Sequence, residues 1–321
     1  MAKGAILVCG EALFDVFVGP EAGPRLPAEF VAGGSPMNVA IGLARLGAAS
    51  AYFGGLSTDR FGEILREGLA REGVDLTHAP LKPNATTLSV VATGADGQPR
   101  YTFYGADAAD RMVTAADLPT SLDGYAAIAM GSYTLSVSPV ADALATLAER
   151  EGGRRVISLD PNLRPSVIGD VAAWPARFER FARHATLIKA SDEDIEIAFG
   201  GRVRPAEAAR RWLELGAKIV VVTRGAEGAV AFGCGEPLEV PGRRVDVVDT
   251  VGAGDTFHAA MLADLGRREA LSREALAGLS REALGGALRY AVAAASVTCQ
   301  RRGADLPRHD DPELLAALSQ G

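Results

Sequence analysis

Short β-branched runs alternate with amphipathic helical stretches along this chain, and that alternation constrains the fold more than any other feature. It is the pattern of a mostly parallel sheet covered by helices on both faces. The clearest strand runs are Ala5–Cys9, Ala51–Gly55, Ala126–Met130, Val156–Leu159, Thr186–Lys189 and Ile219–Thr223. Between them, Phe61, Ile64, Leu65, Gly68 and Leu69 follow the i, i+3, i+4, i+7, i+8 spacing of one helix face. Segments Pro139–Arg150, Pro205–Leu215 and the Ala-rich 282–299 pattern in the same way. Two stretches break the alternation. Residues 11–34 carry little helix signal, and 86–104 read as a hairpin whose strands, Thr86–Thr93 and Arg100–Tyr104, flank the turn Ala95-Asp96-Gly97-Gln98. Thr87, Ser89, Val91 and Thr93 alternate with Leu88, Val90 and Ala92, so one face of that strand can be wet and the other buried. A small β-layer of this kind over the strand ends would make a lid.

Charge and composition remove several function classes. With 33 Lys and Arg against 40 Asp and Glu the net charge is −7, a poor balance for neutralising nucleic-acid phosphates. A small phosphate held by backbone amides remains open. The apolar run Ala5–Cys9 is too short for a signal peptide's core, and no run approaches the roughly 18 residues of a membrane span. Cys9, Cys234 and Cys299 are odd in number and far apart, which fits neither a disulfide framework nor a metal site. His78, His184, His258 and His309 are scattered without paired spacing. The sequence is therefore expected to be cytoplasmic, with no nucleic-acid or membrane partner.

Parallel sheets bind ligands at the carboxyl ends of their strands, and five polar or glycine-rich turns fall there. The strongest is Asp249-Thr250-Val251-Gly252-Ala253-Gly254-Asp255-Thr256-Phe257, leading into the helical Ala259–Leu265. Small residues at 252–254 let a phosphate approach amides at a helix N-terminus, and Asp255 is placed to take a proton from an attacking hydroxyl. Asp255 could equally N-cap the helix. The dinucleotide pattern is not satisfied, since Phe257 occupies its third glycine position, and the Walker pattern is absent. In Gly33-Gly34-Ser35-Pro36-Met37-Asn38, Ser35 and Pro36 suit N-cap and N1, the glycines allow close approach of a ligand, and Asn38 is expected to face outward. A plain helix start explains the same residues. Asp160-Pro161-Asn162-Leu163-Arg164 reads as a site turn in which Arg164 holds an anion, or as an Asx-turn with an exposed arginine. Thr223 to Gly228 suits a nucleotide phosphate or a β-hairpin, and Asp15 is ambiguous alone.

Taken together and in this order, these residues resemble the ribokinase-like (phosphofructokinase-B type) family of carbohydrate kinases, from about residue 5 to about 310. The defining motifs are Gly33-Gly34 with Asn38, and Asp249 to Asp255. Within the family, Gly10-Glu11 with Asp15, the run Asn38–Gly47, Phe103-Tyr104 with Ala109-Asp110, the 160–164 turn and Lys189–Asp194 look most like fructokinases. The resemblance implies a three-layer α/β/α fold, a single domain over 1–321, and lid segments at about 11–34 and 86–104. It implies ATP-dependent phosphorylation of a sugar hydroxyl, fructose before 2-keto-3-deoxygluconate, ribose or a nucleoside. A sugar-binding regulator that lost catalysis is the alternative of a different class.

By the same resemblance, Asp255 is the catalytic base, the amides of Gly252, Ala253 and Gly254 form the anion hole, and Arg164 assists substrate or γ-phosphate. Asp15, Gly33, Gly34 and Asn38 would bind the sugar with Asp160 and Asn162, and Phe103 and Tyr104 would cover it. Lys189, Ser191, Thr223, Gly225 and Gly228 would serve the nucleotide. Mg²⁺ would accompany ATP, with Asp194 reaching it through water, and K⁺ would sit near Asp249, Val251 and Gly303. A lid with an exposed sheet face suggests a homodimer through the lid, with a monomer as the alternative. Two departures stand out: the family's Asn-x-x-Glu is Ser191-x-x-Asp194 here, and Gly105 follows Tyr104 where fructokinases and 2-keto-3-deoxygluconate kinases often carry arginine, a loss that weakens the case for an acid sugar.

Overall fold

The computed structural model describes residues 4–19, 23–93 and 99–319. The expected turn 95–98 lies outside the described residues. In chain order the strands are β1 (Ala5–Cys9), β2 (Leu13–Val18), β3 (Ala28–Gly33), β4 (Ser50–Phe53), β5 (Leu56–Ser57), β6 (Leu81–Lys82) and β7 (Leu88–Thr93). They continue with β8 (Pro99–Tyr104), β9 (Tyr125–Gly131), β10 (Val156–Asp160), β11 (Leu187–Ser191), β12 (Ile219–Thr223), β13 (Ala229–Phe232) and β14 (Leu238–Val240). The first helices are α1 (Ser35–Arg45), α2 (Arg60–Arg71), α3 (Val140–Glu151), α4 (Pro165–Ile168), α5 (Trp174–Ala182) and α6 (Asp192–Phe199). After them come α7 (Pro205–Leu215), α8 (Ala253–Arg267), α9 (Arg273–Ala277), α10 (Arg281–Cys299) and α11 (Pro312–Ser319).

The large sheet runs β14-β13-β12-β11-β10-β9-β1-β4. It is parallel from β12 to β4, with β13 and β14 antiparallel at one edge. β1 explains the layering. Its side chains alternate across the sheet, so Ile6 and Val8 join the core of α1, α2, α8 and α10, while Ala5, Leu7 and Cys9 join that of α3, α5 and α7. Both faces are thus covered, the arrangement that parallel sheets require.

The second sheet, β3-β2-β7-β8, follows β1 after a link of three residues, which ties it to the carboxyl end of the large sheet. The stretch 11–34 therefore contains two strands with no helical period to detect. β7 and β8 pair antiparallel as the hairpin reading expects. Ser89 of β7 and Thr87 just before it are buried, because their hydroxyls reach the carboxylates of Asp15 on β2 and of Asp110. The expected N-cap of α1 is corrected by one residue. Gly34, at φ +109°, occupies the cap, and Ser35 is the first helical residue. A Cβ on Gly34 would lie 2.8 Å from the Glu11 carbonyl oxygen, so no larger residue fits that turn.

Candidate active site

Asp255 sits in the first turn of α8, whose cap is Gly252 in the left-handed conformation at φ +79°. A Cβ on Gly252 would lie 2.6 Å from the Ala304 Cβ, so both the conformation and the packing demand glycine. The first turn of a helix leaves N–H groups without intrahelical acceptors. In this turn the Ala253 amide is taken by the Thr250 carbonyl at 3.2 Å. Asp255 does not cap the helix. Its Oδ1 accepts from the Ser35 hydroxyl at 2.7 Å and its Oδ2 from the Asn38 Nδ2 at 2.8 Å. The glycine turn of α1 and that of α8 therefore meet at one buried carboxylate. Asn38 faces inward, correcting the expected outward side chain, because its amide finds an anion there.

Beneath the α8 terminus lies a buried charge pair. The Lys189 Nζ donates to Asp160 Oδ2 at 2.7 Å, and both side chains are almost fully covered. Burial outweighs the lysine's attraction and pushes the Asp160 carboxyl up to about 6, with Asp194 adding repulsion. On Lys189 the carboxylates of Asp160, Asp194 and Asp255 oppose burial and hold the ammonium above its ordinary range. A Cβ on Gly254 would come within 3.2 Å of the Lys189 Nζ. Lys189 thus lends positive charge to the turn from below without reaching solvent. Beside it His258 is buried, held neutral with its pKa lowered to about 3 by burial and Lys189, and bonded to the Ser158 hydroxyl at 2.7 Å.

On the second sheet, β2, β7 and β8 bring Asp15, Ser89 and Phe103 into one row. Ser89 hydrogen-bonds the Asp15 carboxyl, which burial raises while Ser89 and the nearby Arg164 charge lower it. Arg164 donates to the carbonyls of Leu163 (3.0 Å) and Asn162 (3.4 Å), and Asn162 adopts a positive φ of 37°. The 160–164 turn therefore faces Asp15 across the mouth of the site. Further along, Asp249 bridges two segments: its Oδ1 accepts from Val251 N at 3.0 Å and its Oδ2 from Gly303 N at 2.9 Å. Gly225 and Gly228 take positive φ values of 50° and 92° in the loop joining antiparallel β12 and β13, so this turn is a hairpin.

The profile of the pfkB family carbohydrate kinases matches residues 19–311. The chain belongs to this family. A fructokinase of Rhizobium leguminosarum bv. trifolii is 42% identical over 274 residues, covering 85% of this chain and 83% of the relative. The crystal structure of a Xylella fastidiosa fructokinase with bound ATP superposes at a TM-score of 0.90 and 28% identity, covering 99% of each chain. Aminoimidazole riboside kinase from Salmonella enterica, complexed with aminoimidazole riboside and an ATP analogue, superposes at 0.79 and 27% identity over 98% of this chain and 100% of that one.

Three expected site residues of this carbohydrate kinase, Tyr104, Ser191 and Asp194, are engaged elsewhere in the fold. Tyr104 is paired with Leu88 in the row that also holds Phe14, on the sheet face opposite Asp15, and is 59% exposed. Strand alternation puts only one of two adjacent aromatics on the site face, and Phe103 has it, edge-on to Tyr133. Ser191 and Asp194 form a reciprocal cap on α6: Asp194 N donates to Ser191 Oγ at 2.9 Å and Ser191 N to Asp194 Oδ2 at 3.0 Å. The other Asp194 oxygen accepts from Leu163 N at 2.7 Å, so this carboxylate also shapes the 160–164 turn. Thr223 ends β12 beside Ser191. Sequence reasoning missed Ser35 and Ser89 as partners of the two site carboxylates. Ser35 lies inside the Gly33–Asn38 motif but reads there as a helix cap, and Ser89 lies on a strand with no spacing of its own to mark it.

Proposed function

We propose that this carbohydrate kinase transfers the γ-phosphoryl group of ATP to a hydroxyl of fructose. The observation that carries the reading is Asp255, held through both oxygens by Ser35 and Asn38 beside a glycine-rich helix N-terminus. In this reading Asp255 takes the proton from the sugar hydroxyl as the oxygen attacks phosphorus. Amides of Gly252 and Gly254, with Lys189 beneath, stabilise the transferring group's charge, whereas the expected Ala253 amide is engaged by the Thr250 carbonyl. Asp15, Asn38, Gly33 and Gly34 hold the sugar, with Phe103 over it and Arg164 at the mouth. Gly33 suits this role, since a Cβ there would sit 3.0 Å from Asp15 Oδ2. The second sheet acts as a lid on the large one, excluding water during transfer. The fructokinase names of the Rhizobium and Xylella relatives favour fructose as the acceptor.

Among the described residues no three His, Cys, Asp or Glu side chains converge as a ligand set. That fits Mg²⁺ bound mainly by the nucleotide's phosphates and water, as is usual for this ion. Asp194, with both oxygens engaged by amides, would touch such an ion only through water. When bound, Mg²⁺ would neutralise phosphate charge. K⁺ would sit near Asp249, Val251 and Gly303, whose segments the Asp249 carboxylate ties together.

Reduced Cys9, Cys234 and Cys299 suit a cytoplasmic enzyme. The exposed Phe17, Phe30 and Val31 of the second sheet favour pairing with a second copy through the lid, which sedimentation velocity tests directly. The decisive experiment compares ATP-coupled phosphorylation rates with fructose, 2-keto-3-deoxygluconate, ribose and adenosine. Fructose should lead. A faster rate with any other acceptor would overturn the substrate, and none with all four would overturn the kinase reading.

A further inference from the structure

Where the starts of α1 and α8 meet the ends of β9 and β10, a cavity has about 10 Å³ of room, about what one water molecule requires. Val8, Val39 and Ala129 give it apolar walls, and three polar side chains from three elements also line it. Ser35 opens α1, Asp160 ends β10, and His258 lies three residues beyond Asp255 on α8.

The polar groups here have hydrogen-bonding capacity to spare. Asp160 is 2% exposed; its Oδ2 takes Lys189, and its Oδ1 has no partner among the described residues. A buried carboxylate oxygen left unpaired is costly, so this one calls for a donor. The His258 Nδ1 stands 3.9 Å from Asp160 Oδ2, beyond hydrogen-bond reach, while its Nε2 is bonded to Ser158. The Ser35 hydroxyl gives its one proton to Asp255 Oδ1, which leaves its oxygen lone pairs to accept. Polar groups held apart in this way are commonly bridged by water.

We propose that one water in this cavity joins Asp160 Oδ1, His258 Nδ1 and Ser35 Oγ, making Asp160 and His258 positioning residues for phosphoryl transfer. The water donates to Asp160 Oδ1 and Ser35 Oγ and accepts from the His258 Nδ1–H. Ser158 then donates to Nε2, which keeps the neutral ring's one proton on Nδ1. Accepting on one side, the Ser35 hydroxyl has its proton held toward Asp255 on the other. This role rests on Asp255 being the catalytic base, and it ties that base to the buried Lys189–Asp160 pair.

A high-resolution crystal structure should show a water within hydrogen-bond distance of Asp160 Oδ1, Ser35 Oγ and His258 Nδ1. Val39→Ile adds a methyl group to an apolar wall and should displace that water, as its own crystal structure checks. The kcat of this variant should fall about three- to tenfold, the usual worth of one neutral hydrogen bond, with KM for fructose and ATP within about twofold. Its Tm should stay within a few degrees. His258→Asn keeps a donor near the Nδ1 position and His258→Phe keeps none, while both lose the bond to Ser158. His258→Asn should therefore retain the higher kcat at the same fructose KM. Density without this water, a folded Val39→Ile that lacks the water but keeps the parent's kcat, or equal kcat in the two His258 variants overturns the proposal. Near-full turnover in Asp255→Asn would instead overturn the base, a failure that leaves the water's place in the density untouched.

Discussion

Glu11 lies two residues beyond the end of β1 and is 2% exposed, and its Oε2 lacks a hydrogen-bond partner. Burial drives its carboxyl from the ordinary 4.5 up to about 8, with Asp110 adding repulsion against the opposing effects of the Ser132 hydrogen bond and the Arg164 charge. The folded protein thus keeps Glu11 protonated at neutral pH, while the unfolded chain ionises it near 4.5. Between those values the folded state binds more protons, so stability falls as pH rises and the loss is complete above about 8. At about 1.4 kcal/mol per pKa unit, ionisation costs about 5 kcal/mol in full, of which about 2 kcal/mol accrues between pH 6 and 8. Glu11→Gln keeps the shape of the neutral acid and cannot titrate. In urea unfolding, the variant should gain about 2 kcal/mol on the parent between those two pH values. Groups common to both proteins cancel in that difference. An equal stability difference at both pH values would refute a neutral Glu11 in the folded state.

Three further substitutions address the site. Asp255→Asn should lower turnover by ~10²–10⁴, the usual worth of a general base, with little change in fructose affinity; near-full activity would rule out that role. Ser35→Ala removes a hydrogen bond to a carboxylate, about 1.5–3 kcal/mol. It should reduce kcat at least about tenfold in a protein that still folds, and an unaltered kcat would mean Asn38 alone positions Asp255. Lys189→Met leaves Asp160 buried without its cation and should cost about 3–5 kcal/mol in urea unfolding. A loss below about 1 kcal/mol would show that Asp160 is neutral beside the lysine.

What the sequence reveals depends on whether a residue's partner is local. β1 and β12 match their apolar runs at both ends, because every position of a covered parallel strand repeats one signal. β2 and β3 carry no such signal: Asp15 interrupts the first, and the second is exposed along most of its length. The caps of α6 and α8 were legible as motifs, yet their meaning was not. Ser191 and Asp194 close on each other three residues apart, a structural cap that local spacing explains fully. Asp255 has the same first-turn placement but bonds side chains 217 and 220 residues away. Helical period assigns Asn38 to a face and cannot say that a carboxylate waits there. Tyr104 shows the converse, since the two-residue period of β8 alone separates it from Phe103. Once Ser89 is known to pair with Phe103 and Asp15, the site face follows from register. The chemistry here is thus written in pairings across the chain, and only glycine marks them locally. Gly33, Gly34, Gly252 and Gly254 stand where a side chain would strike Asp15, the Glu11 carbonyl, Ala304 or Lys189.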